Sequence, residues 1–147
     1  MTNAPESGSQ KVVRNLTSNQ DLTSYLNLAV RIYDSETCGL PASTTSGFFG
    51  GVLENIRASG TGAACRVCIW GETKIRSAVT ISAGMEFIFA GANNTATGYA
   101  TLPGSATTFV SATANTISLT WISGIALQSA VASQVISVFV NQRQEAM

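Results

Sequence analysis

The sequence predicts an all-β protein, a small β-barrel or sandwich with an extended N-terminal arm, and three observations carry that expectation. Short apolar runs recur at about ten-residue spacing, and Gly, Asn, Ser and Pro clusters separate them. The runs are filled by Val, Ile, Phe and Thr, which suit a pleated, half-buried surface. At 147 residues the chain is about one domain long, enough for one real core.

The elements follow in order. Residues 1–20 mix Asn, Ser, Gln, Pro and Gly around a single apolar pair, Val12-Val13, and read as an arm ahead of a β-rich domain over 21–147. From Asp21 two periods compete. Leu22, Tyr25, Leu26 and Ala29 fit a helical face, whereas Leu26, Leu28, Val30 and Ile32 alternate, so a short helical turn and then a strand over about 26–33 are expected. Residues 38–47 are rich in Gly, Pro and small hydroxyl residues and read as loop. Strands are expected over 48–56, 63–70, 74–81, 85–90 and 98–102, with Gly91-Ala92-Asn93-Asn94 as a turn. Ile75, Ser77, Val79 and Ile81 share one face of the third. Pro103-Gly104 opens a Ser/Thr/Ala loop. The closing strands, over 116–127 and 134–140, carry apolar residues on both alternations and read as buried on both faces.

One internal echo stands out. Residues 51–69 and 124–140 each begin with Gly and a short apolar strand, pass through an Ala/Ser-rich link and end in an alternating strand. A duplicated unit and the ordinary strand-turn-strand habit of β domains both account for it.

Charged residues make up only 11% of the chain against 45% hydrophobic, and eight basic residues cancel eight acidic ones. Such a surface relies on hydroxyls and amides for solubility or is covered by other protein. A net charge of zero lacks the footprint of a nucleic-acid or anionic-membrane binder. The absence of histidine excludes Ser-His-Asp and Cys-His nucleophile activation and His-ligated metals. The longest apolar stretch, 117–127, is about half of what spans a bilayer. The polar first twenty residues do not read as a secretory signal, so synthesis in a reducing cytoplasm is expected, with Cys38, Cys65 and Cys68 as free thiols.

Candidate chemistry is sparse. Cys65-Arg66-Val67-Cys68 is a C-x-x-C, but its odd separation on a strand points the sulfurs to opposite faces, and only Cys38 remains to complete a metal site. Asp34, Glu36, Glu54, Glu72 and Glu86 are the acids from which a paired-carboxylate site would be drawn. Asp34 and Glu36 read as solvated turn residues. Trp70, Trp121, Tyr33 and Tyr99 are candidates for a sugar platform, with Trp121 read as core and Trp70 as surface or subunit interface. No catalytic residue, cofactor or metal is expected, and the chain reads as not an enzyme.

The order of features resembles the phage capsid decoration proteins, also called head-stabilising or cement proteins. Phe49-Gly50-Gly51-Val52-Leu53-Glu54, an Ala/Gly link and Ala64-Cys65-Arg66-Val67-Cys68-Ile69-Trp70-Gly71 are similar to the family's opening strands. Val79-Thr80-Ile81-Ser82-Ala83-Gly84-Met85-Glu86-Phe87 resembles its recurring Ala-Gly corner. Ser123-Gly124-Ile125-Ala126-Leu127-Gln128-Ser129-Ala130, followed by the strand over 135–140, resembles its closing pattern. The likeness covers about two-thirds of the chain. It departs in the first 47 residues and at 104–115. The resemblance implies a homotrimer on the outer surface of the virion capsid, bound to the major capsid protein through an N-terminal arm.

Within that arm, Lys11, Val12, Val13, Arg14 and Leu16 form a strand-competent stretch without Pro or Gly, suited to adding to an exposed sheet edge on the shell. Ordering it would cost about 1–2 kcal/mol of backbone entropy per residue, so it is expected to order only on binding. The alternative is a carbohydrate- or receptor-binding β module, free or on a virion appendage.

Overall fold

The computed structural model describes residues 11–40, 49–90, 97–103, 107–110 and 116–146. Its ten strands are β1 (Val12–Ser18), β2 (Ala29–Ile32), β3 (Thr37–Gly39), β4 (Gly51–Ile56), β5 (Ala64–Arg76), β6 (Glu86–Phe89), β7 (Ala100–Thr101), β8 (Thr107–Val110), β9 (Thr116–Ala126) and β10 (Val135–Ala146). A 3-10 turn over Thr23–Tyr25 is the short helical turn expected before β2.

Five strands close into a barrel. β1 pairs with β3, β3 with β2, β2 with β4, β4 with β5, and β5 returns to β1; all are antiparallel except β1 with β3. Closure removes most of the exposed edges that an open sheet would leave. Alternation fills the barrel with Leu16, Val30, Cys38, Leu53, Cys65 and Val67, joined by Leu22, just ahead of the 3-10 turn. Their sequence neighbours Ala29 and Val52 point the other way. They meet Ile75, Phe87, Ile136, Val138 and Val140 in a second core, between the barrel wall and a second sheet. That sheet runs β5–β10–β9–β6–β7, with β8 paired to β9.

Five expectations are corrected. The stretch from Val12 to Ser18 is not an arm but the strand that closes the barrel, because its apolar alternation finds Cys65 and Val67 inside its own chain; residues 1–10 lie outside the described residues. The strands expected over 63–70 and 74–81 are one strand to Arg76, bent at Gly71, whose φ of 108° suits glycine alone. Cys38 and Gly39 belong to β3 rather than to a loop, and β8 lies inside the expected Ser/Thr/Ala loop. β10 is buried on one face only: Ile136, Val138 and Val140 are covered, while Val135 is exposed and Ser137 and Phe139 are half-buried. The expected turn at 91–94 lies outside the described residues.

The internal echo becomes two antiparallel hairpins, β4–β5 and β9–β10, laid side by side through the β5–β10 ladder. Gly51 and Gly124 play one role in both. A Cβ on Gly51 would lie 2.2 Å from the carbonyl oxygen of Cys68, and one on Gly124 would lie 2.1 Å from that of Phe139. Each hairpin thus needs glycine where its first strand crosses the main chain of its second.

Candidate functional site

Strand alternation disperses the five residues expected to bind a partner. Leu16 is 3% exposed inside the barrel, a burial that stabilises by about 1.5–3 kcal/mol. Val13 is half-buried, and Arg14 is exposed with Nη2 donating to the carbonyl of Ser35 at 3.1 Å. Val12 is 48% exposed and lies opposite Trp70 on β5. Lys11 turns its Nζ to Glu54 at 2.7 Å. The main chain of β1 is already paired, to β5 along most of its length and to β3 at Thr17 and Ser18, so it is no unpaired strand awaiting a sheet.

Glu54, on β4, gathers two groups from β5 and a third from Lys11, just ahead of β1. The β4–β5 register steps from Leu53–Val67 to Asn55–Arg66, which leaves Glu54 as the extra residue of a bulge, re-aimed out of the ladder. Its Oε2 accepts from Lys11 Nζ at 2.7 Å and from Thr73 Oγ1 at 2.7 Å; its Oε1 accepts from Arg66 Nε at 3.2 Å. Burial pushes this carboxyl up, but the hydrogen bonds from Lys11 and Thr73 and the charges of Lys11 and Arg66 outweigh it, and the group sits below its ordinary range. Lys11, Asn27, Glu54, Glu72, Thr73, Lys74 and Ser137 line one open groove of about 490 Å³.

Two of the acids considered as a carboxylate pair, Glu54 and Glu72, therefore share a groove. Glu54 is held ionised with three donors on its oxygens, an arrangement that ties strands together rather than shuttling protons. Asp34 accepts the N–H groups of Glu36 and Thr37 at 2.7 and 2.8 Å, which hold its carboxyl below the usual range, as befits the turn residue expected. Glu86 faces Arg143 at 3.4 Å. Thr73 was not singled out from the sequence. Nothing in its local pattern marks a residue that meets its partner across a bend.

The cysteines lie as strand parity requires. Cys65 points into the barrel core, whereas Cys68 is buried outside it with Sγ donating to the carbonyl of Trp70 at 3.5 Å. Burial, with Cys65 beside it, pushes the Cys38 thiol up to about 12, and burial likewise raises Cys68. Both are weak nucleophiles in this setting.

The aromatics mark a surface. Trp70 is 40% exposed and meets Phe139 edge-on, with ring centroids 4.9 Å apart and planes at 81°. On the same outward face Phe139 lies opposite Ile125 on β9, and Val135 and Leu127 are exposed at its far end. A largely apolar ridge thus runs from Val12 through Trp70 and Phe139 to Leu127. Tyr33 is occupied otherwise: the Arg31 guanidinium lies 4.7 Å over its ring and its hydroxyl donates to the Leu40 carbonyl. Tyr99 is half-buried. The expectation that Trp121 is core concerns a side chain outside those described. No family model matches this chain, and no curated protein matches it at a significant level.

Proposed function

We propose that this protein is a non-enzymatic structural component of a phage head, a homotrimer that binds the major capsid protein on the outer surface of the capsid and stabilises the shell. The observation that carries the reading is the outer face of β5, β10 and β9, which the described residues leave partly exposed. Trp70, Val135 and Leu127, the last just beyond β9, are exposed there and Phe139 and Ile125 half-buried, while the other face of these strands is packed into the core. Large outward apolar residues on a chain with so few charges are what a subunit interface uses, with aromatics at its centre. The order of sequence features shared with the decoration family supports the same reading. In it the protein is made in the host cytoplasm and ends on the virion, with no nucleic acid, membrane or cofactor as partner.

The rival is a carbohydrate- or receptor-binding module with Trp70 as its platform. That ring is already engaged edge-on by Phe139 and flanked by aliphatic side chains, which suits a protein contact better than a sugar. Two measurements separate them. Mass spectrometry of purified virions is expected to give a copy number in fixed ratio to the major capsid protein, and analytical ultracentrifugation to give a trimer. A monomer retained on polysaccharide and missing from virions would establish the rival.

A further inference from the structure

The groove beside Glu54 runs along the second half of β5, and its floor is a length of sheet edge that no described strand pairs. Strand parity fixes which main-chain groups face it. Ser77 donates its N–H to Gln134, the residue just ahead of β10, whereas Arg76 donates in the opposite direction, to the carbonyl of Asn27. The β5–β10 register runs without a break from Gly71 to Arg76, so Glu72 and Lys74 also aim their N–H and C=O groups away from β10. On that side β4 pairs with β5 only as far as Cys68. The two residues line the groove, and no described strand pairs with them there.

We infer that the edge of β5 at Glu72 and Lys74 accepts an extended segment of the shell protein as an added strand. The inference rests on the proposed head-binding function for the source of that segment, and it reverses the direction in which the sequence placed strand addition. The chain offers the edge and the partner supplies the strand. Two residues of open edge, about 7 Å apart along the strand, match alternate residues of one extended peptide. The Glu72 carboxylate and the Lys74 ammonium have no ion-pair partner among the described residues. They favour a segment with a basic and an acidic side chain two positions apart, each facing its opposite. A second copy of this chain fits poorly, since a whole sheet edge would have to enter a recess bounded by Lys11, Glu54 and Asn27. A single extended chain enters it freely. The edge adjoins the apolar ridge, Glu72 lying opposite Phe139 on β10, but the added strand would bond to the main chain of β5 whereas the trimer would use the side chains of the ridge.

The test uses heads assembled by a phage deleted for this gene, with the full-length protein added back. Lys74→Pro and Glu72→Pro each delete an N–H that faces the groove while sparing the ladder to β10, a position in which an edge strand tolerates proline. Each is expected to leave the circular dichroism and the trimer unchanged and to weaken head binding on the order of tenfold, the loss of a hydrogen bond and its register. Lys74→Ala, which keeps the N–H, is expected to weaken it less. In the wild-type protein the amides of Glu72 and Lys74 should exchange with solvent when free and become protected on heads, a readout that does not depend on how the variants fold. Wild-type protein that binds heads while these amides stay unprotected and the proline variants bind equally well would overturn the inference alone. The same variants losing self-association instead would assign the edge to a second copy and also overturn it. Wild-type protein that does not bind heads would remove the head-binding function itself.

Discussion

Replacing Glu54 with Gln keeps the shape of the side chain and an acceptor for Thr73, and removes the charge that Lys11 and Arg66 face. The side chain of Glu54 is 14% exposed, those of Lys11 and Arg66 30% and 49%. An exposed pair such as Arg66–Glu54 contributes a few tenths of a kcal/mol, and the shorter, better covered Lys11 contact about 1 kcal/mol. The expected loss is therefore about 1–2 kcal/mol at neutral pH. Glu54→Ala should lose about 1–3 kcal/mol more, because it leaves the Thr73 hydroxyl, on a residue only 7% exposed, without its acceptor. The pH dependence has a fixed sign. The folded carboxyl lies below its ordinary value of 4.5, so its contribution is complete above that pH and is lost as the pH falls through the folded value. Urea unfolding followed by tryptophan fluorescence should show wild type and Glu54→Gln separated at pH 7 and drawing together as the pH falls below 4.5. Asp21 and Asp34 are also held low, but both proteins carry them and they cancel in the difference. Added salt should narrow the gap at pH 7. Equal stability at pH 7, or a gap that does not narrow as the carboxyl is protonated in acid, would refute the role given to this cluster.

Gly51→Ala and Gly124→Ala should each destabilise by about 1–3 kcal/mol or more, by similar amounts in thermal melts, since each Cβ meets a main-chain oxygen near 2 Å that no rotamer can clear. A clear inequality would show that the two hairpins do not use glycine alike. Trp70→Ala should cost the isolated chain only about 0.5–1.5 kcal/mol for the ring pair with Phe139 yet shift the trimer toward monomer in ultracentrifugation; an unchanged trimer would place the interface elsewhere. Deleting residues 1–18 should open the barrel and abolish cooperative unfolding, because it removes β1 and Leu16, whereas deleting residues 1–10 should leave the described elements in place. The three thiols should resist iodoacetamide at pH 8 and react on unfolding, all three being buried and Cys38 raised to about 12.

What could be read from the sequence is what local pattern determines. The turn before β2 and the strands β6, β7 and β9 are set by alternation and by Gly or Pro punctuation within a few residues. What could not be read depends on partners far along the chain. Whether Val12–Ser18 is an arm or a strand turns on Leu16 meeting Cys65 and Thr17 meeting Thr37, and composition near residue 12 carries no trace of either. Gly71 reads as a break because glycine punctuates most strands; here it bends one strand so that the first half of β5 belongs to the barrel and the second to the other sheet. The Glu54 cluster was invisible for the same reason, its donors lying 12 to 43 residues away.

The two-sided apolar pattern of the last strands is a different kind of mismatch. Apolar residues at both alternations predict burial on both faces, and within one chain β10 has only one face covered. A strand that needed only solubility on its outer face would carry Thr, Lys or Glu at 135 and 139, as β5 does at Glu72 and Lys74. Val135 and Phe139 instead pay a solvation cost in the lone chain that a second chain would cancel. In the proposed function that chain is another copy. The polar stretch on the neighbouring strand then has its own explanation, since an edge left open for a partner's main chain must stay hydrated until the partner arrives.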